Sequence, residues 1–262
     1  MLDAETIRAS LSNGWAGAQI RCLGSVTSTN DIAWAWALAG CPEGTAVFAE
    51  EQLQGRGRFG RTWHSPRGRG LLMSVVLRPT SDTVSPAHLT ALAALAAAEA
   101  IEAETGLRAS IRWPNDVAIG PRKVAGVLVE RRGGGPGPCV VGIGINVNTR
   151  PEEFPADIRT AATSLFAETQ REVPRERLAA LVLHRLHSGY GEATCGHWPQ
   201  AAARWRQRAA LLDEVITVQA GPTQYRGRLV GADPLTGVEI ELAAGRTQCF
   251  RAEDTTLVLG PD

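Results

Sequence analysis

Lysine occurs once in the 262-residue chain, at Lys123, so the other 26 of its 27 basic residues are arginine. Either the sequence has drifted toward arginine and Lys123 is a chance survivor, or arginine serves everywhere except where a compact ammonium is needed. The neighbouring block Arg112-Trp113-Pro114-Asn115-Asp116 bears on that choice. Pro-Asn-Asp is an ordinary turn sequence, but an amide and a carboxylate at a strand end also suit a hydrated magnesium ion. Lys123, at the start of the next strand, would bring its ammonium to the same place. A second cluster, Gln52-Leu53-Gln54-Gly55-Arg56-Gly57-Arg58-Phe59-Gly60-Arg61-Thr62-Trp63, interleaves three arginines with three glycines. Glycine lets backbone N–H groups approach a ligand, and arginine offers planar donors to phosphate or carboxylate. That combination suits a lid ordering over an anion, and equally a flexible surface loop that touches RNA. It is neither a Walker loop, because no Gly-Lys-Ser/Thr follows, nor a dinucleotide fingerprint, because no helix follows.

Two smaller clusters complete the set. In Val141-Gly142-Ile143-Gly144-Ile145-Asn146-Val147-Asn148 the glycines fall on one face of a strand, with two amides near its end. They mark either close strand packing or a flat backbone surface for a ligand ring. Ser28-Thr29-Asn30, taken alone, reads as a helix cap.

Elements must hold these residues together. Asn30–Leu38 reads as a helix capped by Ser28 or Thr29 and followed by Gly40. Thr45–Glu50 and Leu71–Leu77 read as strands, the second stopped by Arg78-Pro79. Ser85-Pro86 opens an alanine-rich helix that runs to about Glu104 and ends at Gly106. Ile111–Trp113 is a short strand; Lys123–Glu130 and Cys139–Val147 form a hairpin with a flexible glycine tip at Gly133–Pro138. Arg175–Gly189 and Trp198–Leu211 are helical. Beyond a boundary near Leu212, four short strands follow: Val215–Val218, Arg226–Val230, Val238–Leu242 and Thr256–Val258. Such close spacing predicts a small barrel.

Bulk composition narrows the function classes. Acidic and basic residues balance at 27 each, which disfavours non-specific binding to nucleic acid or to an anionic membrane. Leu89–Ala98, the most apolar stretch, stops at Glu99 and is too short to span a bilayer. Met1–Glu5 lacks the basic-then-apolar start of a secretory signal. The five cysteines have no metal-ligand spacing, and their odd number argues against a disulfide framework. A cytoplasmic protein with reduced thiols is expected.

Together the four clusters resemble biotin protein ligases. Gly55–Arg61 followed by Trp63 matches that family's signature loop. Arg112–Asp116, Lys123-Val124-Ala125-Gly126 and Gly142–Asn146 match further blocks in the same order, and Ala162-Thr163-Ser164-Leu165 resembles the segment beyond. The resemblance is strong over Val26–Phe166 and weak in the C-terminal strands. Arg112 departs from it, standing where the family often has lysine. The roughly 25 residues before Ser28 are too few for the helix-turn-helix domain of family members that repress transcription, so a monofunctional ligase is expected, without DNA as a partner.

The resemblance implies an α+β fold: a mixed sheet flanked by helices in a catalytic domain, residues 1–212, and a small SH3-like barrel, residues 213–262. It implies ATP-dependent activation of biotin as biotinyl-5′-AMP and transfer to a lysine of a biotin carboxyl carrier domain of acetyl-CoA carboxylase or a related carboxylase. Biotin and ATP with Mg²⁺ are substrates; no cofactor is tightly bound, and the reading leaves a homodimer open. By resemblance Ser28, Thr29, Asn30 and Gln52 hydrogen-bond the ureido ring. Trp63 packs on biotin with Gly126, Gly142 and Gly144 as the opposite wall, while Arg56, Gly57, Arg58 and Lys123 also contact it. Arg56, Arg58, Arg61, Asn115, Asn146 and Lys123 serve ATP, Asp116 serves magnesium, and Lys123 and Arg58 are catalytic. The C-terminal strands, which hold none of the four clusters, are expected to lie outside the adenylation chemistry. The rival readings are an octanoyl or lipoyl transferase, which would gain little from the Ser28-Thr29-Asn30 and Gln52 set, and a non-catalytic biotin sensor.

Overall fold

A computed structural model describes residues 1–11, 19–79, 84–133 and 137–258. In chain order the elements are α1 (Ala4–Ala9), β1 (Ile20–Val26), α2 (Thr29–Leu38), β2 (Ala46–Gln52), β3 (Leu71–Leu77), α3 (Pro86–Thr105), β4 (Ser110–Arg112), β5 (Asp116–Ile119), β6 (Arg122–Arg131) and β7 (Cys139–Ile145). Then come α4 (Leu165–Thr169), α5 (Arg175–Thr194), α6 (Trp198–Gln207), β8 (Val215–Ala220), β9 (Thr223–Asp233), β10 (Gly237–Glu241), β11 (Thr247–Phe250) and β12 (Thr255–Val258).

β3 is buried at every position because it is covered on both faces. Leu71, Met73, Val75 and Leu77 join the main core, whereas Val76 packs with Ala33, Trp34 and Ala37 of α2. α3 is buried along most of its length, and seven of its alanines are among the buried residues. Its middle is apolar on nearly every side because it lies between the sheet and α5, while Glu99, Glu102 and Glu104 toward its end pair with arginines. The strands form a seven-stranded mixed sheet, β1-β2-β3-β7-β6-β5-β4, with β1–β2 parallel and the other pairs antiparallel. β8–β12 form a separate antiparallel sheet in the order β11-β10-β9-β8-β12. The α+β architecture with a second, C-terminal β unit is thus present.

Several elements depart from expectation. α1, β1, β5, α4 and β11 carry too few periodic apolar positions to announce themselves; β5 is only four residues long. α6 stops at Gln207 rather than Leu211 because the next residues pair with the sheet edge. Ile111 N–H donates to Arg208 O at 2.7 Å and Ala210 N–H to Ile111 O at 2.8 Å. The glycine tip of the β6–β7 hairpin falls at residues 134–136 outside the described residues. All five cysteines are free thiols. No described helix is long and apolar enough to cross a membrane.

Candidate active site

The four clusters line one cavity of about 480 Å³, within the size range of small-molecule sites. One end of it is the start of α2. Ser28, the N-cap, accepts from Asn30 N–H at 3.3 Å. Gln52 Oε1 accepts from Thr29 N–H at 2.7 Å and from Thr29 Oγ1 at 3.0 Å. Ser74 Oγ lies 2.7 Å from Thr29 Oγ1 and 2.6 Å from Asn30 Oδ1. Ser28, Thr29, Asn30 and Ser74 are all buried. Ser74 was absent from the sequence expectations, although a lone hydroxyl in Leu71–Leu77 was its signal: a polar group buried in such a strand needs a partner.

The glycines have a different use from the one expected. A Cβ on Gly144 would stand 2.6 Å from Trp63 Cε2, and one on Gly126 would stand 3.1 Å from Trp63 Cζ3. Trp63 therefore lies directly on these glycines, and the three make one wall rather than two facing ones. Gly142 gives way to Asn30 instead, whose Oδ1 a Cβ there would meet at 2.3 Å. β6 and β7 hold Gly126 and Gly144 in register, which makes the bare patch two strands wide.

The other end of the cavity is cationic. The Trp113–Pro114 bond is cis, and the turn it belongs to leads into β5. Across the β5–β6 pair, Lys123 Nζ meets Asp116 Oδ1 at 2.6 Å and stands 5.5 Å from the centre of the Trp63 ring. Asn115 is fixed by Val127 at 2.9 Å and accepts from Arg58 Nη1 at 3.4 Å. Burial pushes the Arg58 guanidinium below its usual pKa, with Asp116 opposing and Arg61 reinforcing the shift. Burial likewise lowers Arg112, which donates to Pro121 O.

The Arg/Gly loop is folded back on itself. Trp63 N–H donates to Gly55 O at 2.9 Å and Gly57 N–H to Arg61 O at 2.7 Å, so the Gly57 amide expected on biotin is already used. Phe59 turns the loop with φ 55°. Arg58 also donates to Ala252 O, and Arg61 donates to Thr256 Oγ1 at 3.3 Å. Thr256 and Leu257 line the cavity. The C-terminal strands, which hold none of the four clusters, thus still reach the edge of the cavity; Thr256 sits in a run too short to have marked it.

Arg56 does not point its charge at an anion subsite. It forms a bidentate pair with Asp31 at 3.0 and 2.6 Å, with Glu130 at 3.7 Å. Its hydrogen bonds hold the Asp31 carboxyl below the usual range. The amides beyond β7 also divide. Asn146 is buried at the cavity, its Nδ2 donating to Thr163 O at 3.0 Å. Asn148 spends its amide on Val173 at 3.0 and 2.9 Å, away from the site. Among the described residues no three His, Cys, Asp or Glu side chains cluster as a metal site. Asp116 and Asn115 are the oxygen donors near Lys123, a set that suits Mg²⁺ only when substrate phosphates complete its shell.

The family model of the biotin/lipoate A/B protein ligase family matches residues 23–148. A bifunctional ligase/repressor, BirA, of Bacillus subtilis is 30% identical over 96% of this chain and 78% of its own length. The biotin–[acetyl-CoA-carboxylase] ligase of Mycobacterium tuberculosis is 33% identical over 98% and 93%. The solved structure of the biotin protein ligase from Aquifex aeolicus in complex with biotin and ATP superimposes with a TM-score of 0.80 at 30% identity, covering 92% of this chain and 99% of that one. With the relatives similar along nearly the whole chain, and the fold shared with that ligase, this chain belongs to the biotin protein ligases.

Proposed function

We propose that the chain joins biotin to protein in two steps at this one cavity. The biotin carboxylate attacks the α-phosphorus of ATP, the bond to pyrophosphate breaks, and biotinyl-5′-AMP forms. A lysine amine of a biotin carboxyl carrier domain then attacks the anhydride carbonyl, AMP leaves, and the amine loses a proton to solvent. The observation that carries this is the polarity of the cavity: a buried set of neutral donors and acceptors at one end, cations at the other.

A ureido ring is neutral and both donates and accepts, which the hydroxyls of Ser28 and Thr29 and the amides of Asn30 and Gln52 match. Trp63 covers the apolar middle. Carboxylate and α-phosphate repel until their charge is screened, and groups fixed in advance do this best. Lys123, Arg58 and Arg61 are the cations for that task, with Asn115 and Asn146 on the nucleotide. Mg²⁺ would arrive with the phosphates and take Asp116 as its protein carboxylate. Residues 1–212 carry this chemistry, and the C-terminal unit, residues 213–262 by the sequence division, meets the loop through Ala252 and Thr256.

Incubation with ATP, Mg²⁺ and biotin, octanoate or lipoate, followed by mass detection of the adenylate, is the test. Biotinyl-AMP is expected, and its transfer to an added biotin carboxyl carrier domain. An octanoyl or lipoyl adenylate in its place would overturn the reading.

A further inference from the structure

The three loop arginines bind unlike partners. Arg58 and Arg61 meet neutral oxygens: Asn115 Oδ1, the Ala252 carbonyl and Thr256 Oγ1. Arg56 meets two carboxylates, donating to both Asp31 oxygens and lying 3.7 Å from Glu130 Oε1. One guanidinium between two carboxylates has no charge to spare for a phosphate. Glu130 faces two ways. Its other oxygen, Oε2, accepts from Asn30 Nδ2 at 3.2 Å. Ser74 binds Asn30 Oδ1, so the pair fixes which way the Asn30 amide presents its oxygen. Asp31 follows Asn30 in the first turn of α2.

We infer that Asp31 and Glu130 are positioning residues that clasp Arg56, anchoring the first strand of the Arg/Gly loop to the start of α2, and that Glu130 thereby links loop closure to the orientation of the Asn30 amide in the biotin head pocket. A loop that opens must break a bidentate pair beside the residues that hold the ureido ring. Arg56 is the hinge anchor of the loop, and Arg58 and Arg61 are its anion-facing members. The inference rests on the biotin ligase reading above.

The test compares Arg56→Ala, Asp31→Asn and Glu130→Gln, together with the swapped pair Asp31→Arg/Arg56→Asp. Two readouts are taken: trypsin cleavage at the Arg58–Phe59 bond in the full chain, and release of biotinyl-AMP. Each single variant is expected to speed both by roughly 3- to 5-fold, the worth of a partly exposed pair. Asp31→Asn added to Arg56→Ala should change nothing further, and the swapped pair, carrying Glu130→Gln so that the new carboxylate at position 56 does not face a second one, should regain slow cleavage and slow release. Glu130→Gln alone should also raise KM for biotin while leaving KM for ATP unchanged. The clasp is overturned if Arg56→Ala speeds release while Asp31→Asn and Glu130→Gln match wild type, or if the swapped pair is as defective as Arg56→Ala. A wild-type chain that makes no biotinyl-AMP would sink the ligase reading instead. The cleavage arm needs no turnover and would still decide the clasp.

Discussion

Lys123 is held from three sides, and each limits what can replace it. Its ammonium contacts Asp116 at 2.6 Å, lies 5.5 Å from the centre of the Trp63 ring, and would stand 3.2 Å from a Cβ on Gly126. A guanidinium is wider and planar, so Lys123→Arg keeps the charge but moves it. At a phosphorus centre a displacement of about 1 Å can cost roughly 10²-fold. Adenylate formation by Lys123→Arg should fall by about that factor in a pyrophosphate-release assay, with the melting temperature little changed. Near-normal turnover would return the lone lysine to chance. Ser74 gives a second test at this scale. Ser74→Ala removes the hydroxyl that Thr29 and Asn30 share, and a buried polar group left unpaired costs about 1–3 kcal/mol. KM for biotin should rise while KM for ATP stays put; equal rises in both would contradict the placement of the biotin head at the start of α2.

At the scale of elements, the glycines of β6 and β7 make room for a side chain of the same molecule. Gly144→Ala would put a methyl 2.6 Å from the Trp63 ring. The ring, itself seated against Gly126 and beside Lys123, has to move, and overpacking of this kind costs about 1–3 kcal/mol. Lower thermal stability and weaker biotin binding by calorimetry are expected together; unaltered binding would mean that Trp63 does not line the biotin site. The long elements were legible beforehand. β3 is an unbroken apolar run, and α3 has its Ser85 cap and its Gly106 stop in the sequence. The site was legible as clusters, because glycine, arginine and lone lysine are unusual in those spacings. Partnerships were not legible. That Arg56 belongs to Asp31 and Glu130, or that Gly57 spends its N–H on Arg61, follows from how the loop folds back, and no local pattern encodes that. β5 was hidden by its length, yet it carries the carboxylate that pairs with Lys123.

The whole molecule joins its two sheets more tightly than a boundary near Leu212 suggests. Ile216, Val218, Leu229, Val238, Ile240 and Phe250 belong to the same apolar cluster as α3 and the large sheet. Ala252 and Thr256 receive Arg58 and Arg61 from the loop. The second sheet therefore has two roles, covering the core and backing the loop, and they can be separated. Ile240→Ala deletes fully buried apolar volume, which costs about 2–5 kcal/mol; it should lower the melting temperature and leave release of biotinyl-AMP unchanged below the transition. Thr256→Ala removes one hydrogen bond, worth about 0.5–1.5 kcal/mol, and leaves the core alone. It should keep the melting temperature and let biotinyl-AMP escape a few times faster in a stopped-flow chase with unlabelled biotin and ATP. A chain cut after Leu212 should show both defects at once. If Thr256→Ala retains biotinyl-AMP as wild type does while the cut chain loses it, the second sheet acts on the site through stability alone, and the bond from Arg61 to Thr256 has no part in holding the loop shut.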